Sequence, residues 1–174
     1  MTIKHVLMIG NPQLRETSIQ VTNFDNVTKF DKQFQTILVD LKDTLTHLQK
    51  TKKIGRALAA PQIGYLKRII FMQTSKRTVY MINPVITWKS NELFEVWDSC
   101  FSFGVYFFVK IKRHKKIIVE YKDENGIFKK EEFEGDLSEL FQHEIDHLDG
   151  ILATDYLKNN KDIILREEWE KLRN

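Results

Sequence analysis

Residues 142–148 read Gln-His-Glu-Ile-Asp-His-Leu, and the His-Glu-x-x-His within them constrains the fold more than any other stretch. On a helix, His143 and His147 stand one turn apart on one face, where two imidazoles can hold one metal ion. Glu144 sits about 100° round from His143, close enough to take a proton from a metal-bound water and badly placed to be a third ligand. Leu137, Leu140, Phe141, Ile145 and Leu148 predict that this helix is buried. Asp136 is the expected N-cap with Glu139 as its reciprocal partner, and Gly150 the expected stop. Two buried His, a Glu and an Asp need partners, and a metal ion supplies one. The other reading is a pair of hydrogen-bonded core histidines.

Cys100 weighs on that choice. It is the one cysteine among 174 residues, so no internal disulfide can form, which fits a reducing compartment. A lone Cys is most often a small buried hydrophobe. Yet two His at metal spacing need a third ligand, and this is the one thiol available. Cys with two His leaves a tetrahedral ion one open position, which is a catalytic rather than a structural arrangement. Water in that position would be acidified, with Glu144 as general base and then general acid.

The remainder of the chain supplies a scaffold. Hydrophobic residues at 42% and charged residues at 29% describe a globular domain, and the net charge of +3 is too small to argue for a nucleic-acid partner. The N-terminal apolar run is too short for a signal peptide, and no segment is expected to span a membrane. Residues 1–27 read as an irregular arm with a turn at Asn11-Pro12. Phe30, Phe34, Ile37, Leu38, Leu41, Leu45 and Leu48 recur at helical spacing and predict a long amphipathic helix over 28–50. Short strands are expected at 68–74, 78–82, 85–89, 93–99, 115–122 and 127–133, with Asn83-Pro84 as a break and Asn125-Gly126 as a hairpin turn. The basic run Lys110 to Lys116 reads as a solvated strand edge, with ribosomal RNA as the sharper alternative. Ile164, Leu165, Trp169 and Leu172 suggest a C-terminal helix. Together these predict an α+β fold in one domain over residues 1–174. Antiparallel β-sheets would pack around a central metal-binding helix, with a long N-terminal helix and a C-terminal helix.

Gly55-Arg56-Ala57-Leu58-Ala59-Ala60-Pro61-Gln62 reads, on composition, as a small-residue turn packing under a helix. Set beside the other stretches it carries more. Gly55 to Gln62 resembles the Gly-x-Gly-Leu-Ala-Ala-Pro-Gln signature of the peptide deformylases. Asp98 to Ser102 resembles their Glu-Gly-Cys-Leu-Ser, and Gln142 to Leu148 matches their Gln-His-Glu-x-Asp-His-Leu in full. Pro12 to Arg15 and Asp155 to Leu157 extend the likeness over nearly the whole chain.

The resemblance implies a hydrolase that removes the formyl group from the N-terminal methionine of newly made proteins. Its metal ligands would be Cys100, His143 and His147, and its acid/base Glu144. Gln62 and the backbone N–H of Phe101 would stabilise the oxyanion. Gly55, Arg56, Ala57 and Ser99 would line a strand-like substrate cleft, and Arg113 would pair with Asp98. It implies one divalent ion, ferrous iron in the cell with zinc or nickel able to replace it, whereas ligand type alone favours zinc. Partners would be nascent formylated polypeptides, with the ribosome as a candidate location, and no membrane or specific nucleic acid. The compartment would be the cytoplasm, or an organelle matrix in a eukaryote.

Departures from the family pattern cluster at the pocket. Ala57 stands at the second glycine, which would strain the backbone if φ were positive there. Ser99 replaces a glycine, Phe101 a leucine, and Phe107 falls about where many members have an arginine. Phe101, Phe103, Phe107 and Phe108 are expected to narrow the pocket and weaken kcat/KM. Two alternatives stand beside deformylation: a degenerate deformylase-like protein with weak or no activity, and a zinc peptidase, which would use a third His or Glu downstream.

Overall fold

A computed structural model of the chain describes residues 2–22 and 32–172. Eight strands form two antiparallel sheets. The larger runs in the order β1 (Ala57–Ala59), β2 (Ile69–Gln73), β3 (Thr78–Lys89), β6 (Lys116–Lys122) and β7 (Phe128–Glu134). The smaller holds β5 (Phe107–His114) between β4 (Leu93–Asp98) and β8 (Ile163–Leu165). Three α-helices are found among the described residues, α1 (Lys32–Lys52), α2 (Asp136–Leu148) and α3 (Arg166–Lys171), with short 3-10 turns between elements.

Side-chain alternation explains how one sheet serves two helices. On β2, Ile69 and Phe71 face α1, joining Phe34, Ile37, Leu38, Leu41 and Leu45. Ile70 and Met72 face the other way, joining Leu140, Phe141, Ile145 and Leu148 of α2. A strand covered on both faces reads as an unbroken apolar run, here Ile-Ile-Phe-Met. Helix α2 contacts strands of both sheets, β1 and β7 in the larger and β5 in the smaller, so its histidine face sits deep in the molecule. The expected α+β architecture around a central helix is therefore the observed one.

Several boundaries differ from expectation. The long helix is described from Lys32, and its expected start at 28–31, with Phe30, lies outside the described residues. Asn83-Pro84 does not end a strand. β3 runs through it, with Asn83 at φ +52 and a register shift between Ile82 and Val85. A bulge absorbs the proline that a regular ladder would not. The basic run is no edge either: most of it lies in β5, the middle strand of its sheet, and Arg113 is buried. Residues 163–165 form a strand ahead of the expected C-terminal helix, because β5 offers them a partner. Finally, Asp136 does not cap α2. Gly135 does, at φ +57, without a side-chain bond. Asp136 and Glu139 both pair instead with Arg56, an ion-pair partner the local capping pattern could not reveal.

Candidate metal centre

Three elements bring the cluster together. Helix α2 presents His143 and His147 on one face, with their Nε2 atoms 3.2 Å apart. Strand β4 ends at Asp98, and the chain then turns through a 3-10 turn at Phe101–Phe103 closed by Gly104 at φ +63. That turn sets Cys100 Sγ 3.1 Å from His147 Nε2. All three side chains are buried, and their donor atoms lie within 4.8 Å of one another. Tetrahedral coordination at ordinary Zn–N and Zn–S bond lengths would place two imidazole nitrogens about 3.3 Å apart, and sulfur and nitrogen about 3.6 Å apart. The cluster therefore has the size and the donor set to hold one small divalent cation.

The surroundings orient each ligand. The amide Nε2 of Gln62 and the backbone N–H of Ser102 both donate to Cys100 Sγ, each at 3.3 Å. Asp98 Oδ1 lies 2.8 Å from His143 Nδ1, which turns Nε2 of that ring toward the cluster. Arg113 holds Asp98 at 2.9 Å and also pairs with Asp146. Burial alone would raise the Asp98 carboxyl, but His143 and Arg113 outweigh it and hold the group below the usual carboxylate range. Burial also disfavours charge on both imidazoles. Asp98 and Cys100 reverse that for His143, which is raised, whereas His143 itself adds to the lowering of His147. A charge on one ring disfavours a charge on the other, and a single cation can bond both Nε2 atoms.

Glu144 is buried beside the cluster, and its Oε2 has no hydrogen-bond partner among the described residues. Burial pushes its carboxyl up to about 7, with Asp98 and Glu139 adding to the rise and His143 opposing it. A carboxyl poised near neutrality can both accept and return a proton. Gln62 is fixed by its own turn. Its Oε1 accepts from the Ala59 N–H at 2.9 Å, leaving Nε2 facing Cys100 and Ser102 Oγ, the latter at 3.2 Å.

Gly55, Arg56, Ala57, Gln62, Ser99 and Phe101 lie along the same cleft as Cys100, His143 and Glu144. Ala57 belongs to β1, pairs with Met72 and has no positive φ, so the feared strain is absent. The aromatic expectation needs correction. Phe103 and Phe107 stack on each other at 4.8 Å, and Phe103 packs in the core with Leu14, Val109 and Ile111. Of the four, only Phe101 and Phe108 line the cleft. Sequence reading missed Arg166 as a lining residue, and it placed Trp169 on a helix without a direction. The signal lies in the β5–β8 pairing, which no local pattern encodes.

The comparisons with known proteins bear on this cluster directly. Residues 3–162 match the family model described as polypeptide deformylase. The chain belongs to the polypeptide deformylase family. A peptide deformylase of Thermotoga neapolitana is 36% identical over 162 residues, spanning 93% of this chain and 92% of the relative. Peptide deformylase 2 of Clostridium acetobutylicum is 43% identical over 126 residues, 72% of this chain and 79% of its own. The crystal structure of the Thermotoga maritima peptide deformylase superposes with a TM-score of 0.79 at 32% identity, covering 91% of this chain and all of that one. Membership makes the chain a metal-binding hydrolase of the deformylase type and accounts for a Cys-His-His cluster at its centre.

Proposed function

We propose that the chain is a metal-dependent deformylase that hydrolyses the N-terminal formyl group of formyl-methionyl polypeptides. The observation that carries this is the Cys100-His143-His147 cluster beside Glu144 and Gln62, in a chain of this family. A divalent cation held by these three residues would supply Lewis acidity. Glu144 takes the proton of the attacking water and returns it to the departing amine nitrogen, giving formate and a free N-terminus. Gln62 Nε2 and the Phe101 N–H donate to the formyl oxygen as charge develops on it. Gly55, Arg56, Ala57 and Ser99 receive the peptide.

The finer assignments rest on chemistry. A site of one thiolate and two imidazoles suits zinc, nickel or ferrous iron. We assign ferrous iron in the cell, and such a thiolate site is oxidation-sensitive. The natural substrates are nascent chains met at the ribosome, in the cytoplasm or an organelle matrix, by one domain spanning residues 1–174. Among the described residues no helix is long and apolar enough to cross a membrane. A peptidase of the other His-Glu-x-x-His kind is disfavoured, since no His follows His147 and the third donor of the cluster, Cys100, lies upstream of the helix. The experiment is anaerobic preparation with added iron, measurement of metal content, and turnover of a formyl-methionyl peptide. One metal per chain with release of formate is expected. One metal without formate would favour the degenerate, binding-only alternative.

A further inference from the structure

The cleft that holds Cys100 and His143 has a wall that the chemistry above leaves unused. It is built by the C-terminal segment. β8 pairs with β5 in the register Phe108↔Ile164 and Val109↔Ile163, which brings α3 back to the cleft. From α3, Trp169 stacks on Phe108 with ring centroids 4.5 Å apart, and the Arg166 guanidinium lies 4.4 Å from the same ring. Phe94 and Val96, two residues apart and so on one face of β4, line the same space. The result is an apolar trough with one cation in it.

That cation differs from the other arginine of the cleft. Arg56 is held by two carboxylates, Asp136 and Glu139. Arg166 is fixed through Nε, which donates to Val105 O at 2.7 Å, and through the face of Phe108. Its Nη1 lies 3.6 Å from Glu170, a carboxylate more than half exposed, and its Nη2 lies 3.5 Å from Ser99 Oγ. Contacts that long use little of a guanidinium's donor capacity. The head group is thus pre-positioned beside Ser99, the residue next to Cys100, with N–H groups available to an arriving oxygen.

An extended peptide offers what this wall lacks: a main-chain carbonyl for the guanidinium and a side chain for the trough. We infer that Phe108, Trp169 and Arg166 form a subsite for the residue that follows the formyl-methionine. Arg166 donates to a main-chain carbonyl of the substrate, and the aromatic wall takes an apolar side chain. The inference rests on the deformylase reading for the identity of the peptide. It makes this chain selective for what comes after the methionine, with the selectivity residing in its C-terminal segment.

The test uses iron-loaded full-length protein and two peptides, formyl-Met-Leu-Gly and formyl-Met-Gly-Gly. The parent is expected to favour the leucine peptide about tenfold in kcat/KM, the scale of a small apolar side chain gaining a pocket. Trp169→Ala should reduce that ratio to within about twofold. Arg166→Ala should raise KM for both peptides about tenfold and leave their ratio, which mere loosening of the neighbouring turn would not do selectively through KM. Calorimetric titration of the products Met-Leu-Gly and Met-Gly-Gly reads the same preference without turnover. A parent that treats the two peptides alike, or a Trp169→Ala variant that keeps the parent's ratio, overturns the subsite. If neither peptide is deformylated, the deformylase reading falls. The titration still decides the subsite: a leucine preference lost in Trp169→Ala supports it, and no preference overturns it.

Discussion

The ring of Phe101 lies directly over Gly55: a Cβ built on Gly55 would fall 2.0 Å from the ring's Cζ. Gly55 also holds φ +96, a conformation L side chains rarely adopt. The phenylalanine after the cysteine thus uses the space that a glycine in the small-residue stretch leaves open, locking the cysteine turn to the cleft wall. Gly55→Ala is expected to lower kcat/KM by about tenfold or more and to destabilise the fold by at least about 1 kcal/mol. Adding Phe101→Leu should restore part of the activity by removing the clash, though not the backbone strain. Kinetics and urea unfolding on the single and double variants check this, and strictly additive effects would refute the contact.

Glu144 makes the stability of the metal-free protein depend on pH. Burial raises its carboxyl from 4.5 to about 7 on folding. The folded state then holds a proton the unfolded state releases, so its contribution is complete below about pH 4.5 and is lost as pH rises through about 7. Glu144→Gln mimics the neutral form at every pH. After chelation, the variant and parent should be about equally stable at acid pH, with the variant ahead by about 3 kcal/mol near pH 8. Groups remote from Glu144 cancel in the difference. Urea unfolding at the two pH values measures it, and a constant difference would mean that folding does not raise the Glu144 carboxyl.

The same Glu144→Gln change should keep the metal, because Glu144 is no ligand in the proposed site, and should lose about 10²–10⁴ in kcat. Metal analysis beside formate release separates the two effects. Parent-like turnover with metal bound would remove Glu144 from the mechanism.

Arg113 is 3% exposed and lies between Asp98 and Asp146, so both carboxylates depend on it. Arg113→Met leaves the buried Asp98 carboxylate with His143 as its remaining partner, which should cost about 3 kcal/mol. It should also weaken metal binding about 10–100-fold, since Asp98 then orients His143 less firmly. Competition with a chelator reads the affinity. A stable variant with parent-like affinity would show that Asp98 needs no arginine.

Phe103 supplies a test of where the aromatic bulk goes. It is fully buried and stacks on Phe107, away from the cleft lining. Phe103→Ala should destabilise by about 3–5 kcal/mol and bring no gain in kcat/KM. A faster enzyme would mean that the ring does crowd the substrate.

What the sequence determined is whatever is encoded within a few residues along the chain. His143 and His147 are one helical turn apart whatever surrounds them, β2 declares its burial by its unbroken apolar run, and Asn125-Gly126 turns its hairpin locally. Three signature stretches in order were enough to predict the family. Tertiary structure decided everything that depends on a distant partner. Asp136 looked like a helix cap until Arg56, 80 residues away in sequence, took its carboxylate. The basic stretch looked like an edge until β8 paired with β5 from across the chain. Phe103 and Phe107 sit as close in sequence to Cys100 as the cleft residues do, and only packing against Leu14 and Ile111 turned Phe103 inward. Trp169 became part of a cleft wall in the same way, through long-range strand pairing. Local patterns fix which face a side chain takes on its own element, whereas the choice between core and cleft is made by the element that arrives opposite it.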